Sequence, residues 1–426
     1  MRGFLKYFLY CITGIMFLAV GLIVYLVWLQ PPFYFPKPTG KYAVGSRLYH
    51  WIDSDRKDIH SIDPASPYQE LMVKVWYPVD PTLPIKPVLY APDLFAYLRK
   101  TKPLVSLLSG TARKVYCHEN PDTPISTDKS YYPVIIFSPG SGGRYDSNTI
   151  HCEELASCGY IIVGISHPGD SKIIRFSDGR TKTAVDVLTG KTFIERRKIT
   201  DHEIIEERVA DIRFVLDQLE ILANTADSPF YKRLDNEHTG IFGQSLGGSA
   251  AVSACRRDSR IKAAVDMDGS LFGSDATSAF DKPLMFLVAG ESLKLFEQSN
   301  FRDLQKTFDI KTDEEAQMIQ DRYMLGFQKL TAGKSDDYIF VISGAGHIDF
   351  NDSALLIKYA APALSRPLIK CAFVGPLGYG SIDGLRATEI INAYLVSFFD
   401  KYLKGWPSEL LDSHVARYAE VDSRLS

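Results

Sequence analysis

The sequence predicts an α/β fold, a mainly parallel β-sheet flanked by helices and preceded by one N-terminal transmembrane helix. Three observations lead there. Short apolar runs rich in Val and Ile recur along the chain, as strands covered on both faces require. Stretches with apolar residues at three- and four-residue spacing separate them, and strand alternating with helix implies parallel pairing. The opening segment carries no charge from Tyr7 to Leu29.

As a helix that segment would be about 35 Å long, against a hydrocarbon core of roughly 30 Å. Arg2 and Lys6 precede it, and Trp28, Phe33, Tyr34 and Phe35 supply aromatic residues at its far end. Residues 1–30 are therefore expected to form a single-pass membrane anchor. Its N-terminus would lie on the cytoplasmic side, with the folded domain periplasmic or extracellular/lumenal. Residues 31–44, rich in proline, cannot continue the helix and read as a spacer. Residues 45–426 read as one catalytic domain. Strands are expected at 70–78, 132–139, 159–166, 239–244, 261–267, 282–290 and 338–343, and helices at 204–223 and 387–405. Segments 80–130 and 293–333 are candidate lids.

The composition, 46% hydrophobic with a formal net charge of −3 and no polybasic run, gives no basis for nucleic-acid binding. The six cysteines (11, 117, 152, 158, 255 and 371) lack metal-ligand spacing. All but Cys11 are expected to be buried thiols. The chemistry read below needs no metal and no cofactor.

That chemistry starts at IFGQSLGGSA, residues 241–250. Ser245 stands between an apolar run and a helix of small residues, with Gly243 and Gly247 two positions away on either side. A serine on such a sharp strand-to-helix turn stands above the sheet, and flanking side chains would obstruct it. Its hydroxyl needs a base, and the base needs an acid. In an α/β-hydrolase fold the chain order is serine, acid, histidine. Only His347 and His414 follow Ser245. His347, in SGAGHIDF after the last expected strand, is the expected base, whereas His414 lies in a polar tail. Asp268 and Glu291 both end apolar runs and both qualify as the acid. Asp266, still within its run, reads as a local hydrogen-bonding group. The backbone N–H of Leu246 and that of Ser141, in PGSGG (139–143), are the expected donors to the oxyanion. His167 and Asp170, in SHPGDS, are expected to shape the cleft rim.

The segments YYPVIIFSPGSGG, LASCGYIIVGISHPGDS, IFGQSLGGSA, VDMDGSLF and ISGAGHIDF resemble those of the plasma-type platelet-activating factor acetylhydrolases and their bacterial α/β-hydrolase relatives. GKYAVGSRLYHWIDSDR followed by ELMVKVWYP resembles that family's amino-terminal portion. The resemblance implies an acid after the sixth strand, at the position of Asp268, with His347 as base and Ser141 and Leu246 as oxyanion donors. It also implies calcium-independent hydrolysis of short or oxidised acyl groups at the sn-2 position of phospholipids. The chain departs from the animal members, which have His-Gly-Leu-Gly where it has PGSGG and a histidine where it has Gln244. They also have an aromatic residue after the acid, where Gly269 and Ser270 stand here. The expected function is thus a serine carboxylic ester hydrolase acting on a lipid or other ester. The rivals are an acyltransferase or general short-chain esterase on the same residues, and a non-catalytic binding module.

Overall fold

The computed structural model describes residues 2–25, 31–59, 61, 66–83, 87–108, 113–271, 280–298, 301–331, 337–361, 377–412 and 417–423. His414 and Cys371 lie outside them. The chain divides into two compact units. The smaller comprises Met1–Phe35, Leu89–Cys117 and Leu355–Ala372, and so takes in much of the first candidate lid. In it, Phe33–Tyr34 pairs in parallel with Val115–Cys117, and the Tyr90 ring packs on Phe35 and Phe95.

Helix α1 of this unit spans Arg2–Val24. Among the described residues no helix is long and apolar enough to cross a membrane. The expected anchor is therefore corrected, together with the localisation and the membrane partnership drawn from it. The physical reason is length. From Tyr7 to Val24 the uncharged part of α1 measures about 27 Å, short of a core of roughly 30 Å. Residues 26–30, which were to complete the span, lie outside the described residues.

The larger unit holds a ten-stranded sheet. Its strands are β1 (Ala43–Lys57), β2 (Tyr68–Val79), β3 (Glu119–Pro121), β4 (Tyr132–Ser138), β5 (Ile161–Ser166), β6 (Leu234–Gln244), β7 (Ile261–Met267), β8 (Leu284–Ala289), β9 (Asp337–Ile342) and β10 (Val421–Ser423). They lie in the order β10-β9-β8-β7-β6-β4-β5-β2-β1-β3. The six from β9 to β5 in that order run parallel. Strands β2 and β10 join antiparallel to β5 and β9.

The helices of this unit used below are α2 (Thr149–Ser157), α3 (Phe193–Ile199), α4 (Ile205–Asn224), α5 (Leu246–Arg257), α6 (Gly290–Gln298), α7 (Phe301–Phe308), α8 (Asp313–Thr331) and α9 (Gly384–Lys404). Successive strand residues feed opposite faces of the sheet. On β4, Ile136 packs into one core with Ile212 and Val215 of α4. Its neighbours Ile135 and Phe137 enter another with Leu155 of α2 and Phe399 of α9. Every residue of β4, β5, β8 and β9 is buried, which is why these strands read as continuous apolar runs. The second candidate lid is helical: α6, α7 and α8 sink Phe296, Leu304, Ala316 and Tyr323 into the first core.

Cys117, Cys152 and Cys255 are buried and Cys158 is half-buried. Burial pushes the Cys158 and Cys255 thiols up to about 12, so both stay protonated.

Candidate active site

In an open parallel sheet, ligands sit outside the carboxyl ends of the strands, where the chain changes direction across the sheet. Strands β4 and β6 are neighbours here, and the loops leaving β4, β6, β7 and β9 carry the residues singled out above.

Ser245 lies between β6 and α5 with φ 57° and ψ −126°, in the left-handed region that a side chain enters only at a cost. Its N–H donates to the Met267 carbonyl, 2.9 Å away. The flanking glycines answer to space rather than to backbone angle, since neither has a positive φ. A Cβ on Gly243 would overlap the Gly247 carbonyl, and one on Gly247 would overlap that of Ser138. Strand, helix and the end of β4 thus meet at contact distances that only hydrogen allows. Leu246 opens α5, where backbone N–H groups lack an intrahelical partner.

Asp268 directly follows β7, also with positive φ (54°). Its side chain is 1% exposed and takes three hydrogen bonds. Oδ1 accepts from the Ala289 N–H (2.8 Å), and Oδ2 accepts from the Ser292 hydroxyl (2.7 Å) and from His347 Nδ1 (2.6 Å). His347 opens a short turn (His347–Phe350) that Asp349 locks by accepting from the Gly346 and Gly380 N–H groups. With Nδ1 on a carboxylate, Nε2 is the corner of the imidazole left to accept. It lies 3.3 Å from Gln244 Nε2, which donates to it, on the residue next to Ser245. Among the described residues, the hydrogen bonds of the imidazole go to Asp268 and Gln244. Glu291 stands apart: on the first turn of α6 it pairs with Lys294 at 2.8 Å, its side chain one-third exposed.

The turn after β4 lies against Ser245, for a Cβ on Gly140 would come within 3.3 Å of the serine Cβ. Ser141 donates through Oγ to Asp170 (2.9 Å). Its N–H belongs to the peptide whose carbonyl, that of Gly140, accepts from Arg208 Nη2 (3.4 Å). The preceding carbonyl, Pro139, accepts from Arg208 Nη1 at 2.6 Å. Because a trans peptide sets C=O and N–H on opposite sides, gripping the Gly140 carbonyl turns the Ser141 N–H away from the guanidinium. Asp170 also pairs with Arg208. Burial alone would raise the Asp170 carboxyl, but Arg208 and Ser141 outweigh it and hold it below the ordinary value.

Arg208 is 1% exposed and has no place in the motifs read from the sequence. Its signal is visible all the same, a charge on the apolar stripe Ile205, Val209, Ile212, Val215, Leu219 of α4. Asp211, on the same helix and also buried, accepts from His167 Nδ1 (2.8 Å), whose Nε2 accepts from the Ser138 hydroxyl (3.0 Å). Burial and then Arg208 lower the His167 imidazole, so it is neutral. Beneath the Ser245 turn, Asp266 is fully buried. One oxygen accepts from the Gly269 N–H (2.7 Å), and burial pushes its carboxyl well above the ordinary 3.8.

Residues 30–406 match the family described as platelet-activating factor acetylhydrolase, isoform II. The chain is similar to a probable 1-alkyl-2-acetylglycerophosphocholine esterase of Arthroderma benhamiae, 24% identical over 91% of this chain and 93% of the relative. It is also similar to the platelet-activating factor acetylhydrolase of Cavia porcellus, 23% identical over 70% of this chain and 63% of that protein. Among solved structures, a ferulic acid esterase from Streptomyces cinnamoneus superposes with a TM-score of 0.67 and 25% identity, covering 92% of this chain and 99% of the other. The architecture is thus a mixed α/β hydrolase-like fold.

Proposed function

We infer the function from one premise: the chain belongs to the platelet-activating factor acetylhydrolase, isoform II, family. It is a carboxylic ester hydrolase. In our reading Ser245 attacks the ester carbonyl, His347 takes its proton and passes it to the leaving alcohol, and Asp268 orients the imidazole and balances its charge. The Leu246 and Ser141 N–H groups stabilise the oxyanion. Water then attacks the acyl-enzyme, with His347 again as base.

The observation that carries this reading is the 2.6 Å bond from His347 Nδ1 to buried Asp268, which turns Nε2 toward the Ser245 turn. In the free protein Nε2 is held by Gln244. In our reading, substrate binding displaces this amide and brings the Ser245 hydroxyl to Nε2, as such bonds tighten in substrate complexes. For substrate we propose a phospholipid bearing a short or oxidised sn-2 acyl group, in keeping with the relatives' names.

Two measurements test the proposal. A fluorophosphonate probe should label the protein and fail on Ser245→Ala; equal labelling of both would remove Ser245 from the mechanism. Hydrolysis of phospholipids differing only in sn-2 chain length should fall as the chain grows. A feruloyl ester cleaved faster than every phospholipid would overturn the substrate and leave the reaction type standing.

A further inference from the structure

We infer that the cavity beside the Asp268 loop is a binding site for an anionic amphiphile, with its hydrocarbon stem against Leu271, Phe296, Phe308 and Ile319 and its anion on Arg197 and Arg322. The inference deepens the ester-hydrolase reading and rests on it for the link to turnover.

The cavity has a volume of about 300 Å³ and is walled by α3, α6, α7, α8 and residues 270–271. That suits the chain of a small lipid, since ligand pockets start near 300 Å³. Its apolar walls fit hydrocarbon, but its charge does not fit a neutral one. Arg322 takes both oxygens of Asp201, Nη2 to Oδ1 at 2.9 Å and Nη1 to Oδ2 at 3.3 Å, and sends Nε to the Leu271 carbonyl at 2.7 Å. Arg197 is left 3.7 Å from the same carboxylate, with a quarter of its side chain exposed. Two guanidinium groups that line an apolar pocket thus meet at one carboxylate. Burial, then the nearby Arg322, lower Arg197 from its ordinary value, which marks a cation short of counter-charge. A carboxylate or phosphate supplies that charge in the planar, bidentate geometry guanidinium favours.

The cavity adjoins the proposed catalytic residues. Ser270 and Leu271 follow Asp268 by two and three positions, and the Ser249 hydroxyl, on the helix behind Ser245, donates to the Ser270 carbonyl. The substrate this site would take is an ester whose acyl chain ends in a carboxylate, or whose leaving alcohol carries a phosphate.

Binding is tested on Ser245→Ala protein, so that the outcome does not depend on turnover. Octanoate, octyl phosphate and octanol are titrated by calorimetry below their aggregation limits. The two anions should bind about ten- to a hundredfold more tightly than octanol, as expected for charge-assisted hydrogen bonds, and lose affinity as salt is raised. Arg197→Gln should remove that advantage and leave octanol unchanged. Tighter octyl phosphate assigns the leaving alcohol as the source of the anion, and tighter octanoate assigns the acyl end; either supports the site. Equal affinity of octanol and both anions overturns it, as does undiminished anion binding by Arg197→Gln. Should that variant not fold, the salt dependence of octanoate binding to the Ser245→Ala protein decides, and a flat response is fatal. In otherwise unmodified protein, Arg197→Gln should lower kcat/KM for mono-p-nitrophenyl adipate about tenfold relative to p-nitrophenyl butyrate. Failure of the unmodified protein to take a fluorophosphonate label would strike the ester-hydrolase reading alone.

Discussion

Ser138, His167 and Asp211 repeat the residue types of Ser245, His347 and Asp268, with Ser138 on the neighbouring strand β4, in register with Gly243. The repeat is the better connected of the two, with the serine hydroxyl already bonded to the imidazole at 3.0 Å. Its surroundings are opposite. Ser138 ends a regular strand and is fully enclosed, its Oγ also contacted by Arg208 Nη1 at 3.3 Å. Ser245 is half-exposed on a left-handed turn, with a helix N-terminus behind it. The contrast teaches that a serine, a histidine and an aspartate in line do not make a nucleophile. Access, an aimed hydroxyl and nearby N–H donors do. The buried set instead packs against the turn that carries Ser141.

The largest expected effect tests the contrast directly. Ser245→Ala or His347→Ala should cut kcat by on the order of 10⁴–10⁶ with little change in melting temperature, whereas Ser138→Ala should keep fluorophosphonate labelling intact. A Ser138 variant as inactive as the Ser245 one would invert the assignment. Next, Asp268→Asn should cost on the order of 10⁴ in kcat, while Glu291→Gln, which removes a surface pair, should change it by less than about threefold. Steady-state kinetics on the two variants separates the acids.

Arg208→Lys probes the link between the two regions. A single ammonium cannot grip both carbonyls of the turn, so kcat should fall about ten- to a hundredfold with KM nearly unchanged. A purely structural role for Arg208 would lower melting temperature and leave kcat per folded molecule alone. The smallest effect concerns Asp266. Its carboxyl is raised in the fold, so its contribution to stability is full below the ordinary 3.8 and is lost as pH rises through the folded value. Asp266→Asn should therefore gain on the unmodified protein as pH rises across that window, by up to about 1.4 kcal/mol per pH unit. Parallel denaturation curves at several pH values would deny the carboxyl its buried, neutral state.

Much of this molecule could be read before its coordinates. Strands β4, β5, β8 and β9 announce themselves because burial on both faces forces continuous apolar runs, and β6 does so only over its buried second half. The β1 strand did not, because its later residues are largely polar and part-exposed, and only the resemblance pointed to it. The Ser245 turn was legible because its glycines are demanded by contact. The choice between Asp268 and Glu291 was not legible from the residues, since both end apolar runs. What separates them is that β7 stops one residue before Asp268, while Glu291 is already turning into α6 toward Lys294. Arg208 and Asp211 escaped because partners that meet only in three dimensions give a helix no local signature beyond a misplaced charge. The N-terminal segment erred the other way, as uninterrupted apolarity was taken for length enough to span a bilayer.

The bond from the Ser245 N–H to the Met267 carbonyl has a mechanical consequence. Met267 immediately precedes Asp268, so the proposed nucleophile and the proposed acid are tied to one peptide and must travel together whenever that end of the sheet breathes. The imidazole arrives on a separate arm, pinned at its own base by Asp349. On heating, the proposed trio should come apart at that joint first, leaving a serine and an acid still in step with nothing to carry the proton between them.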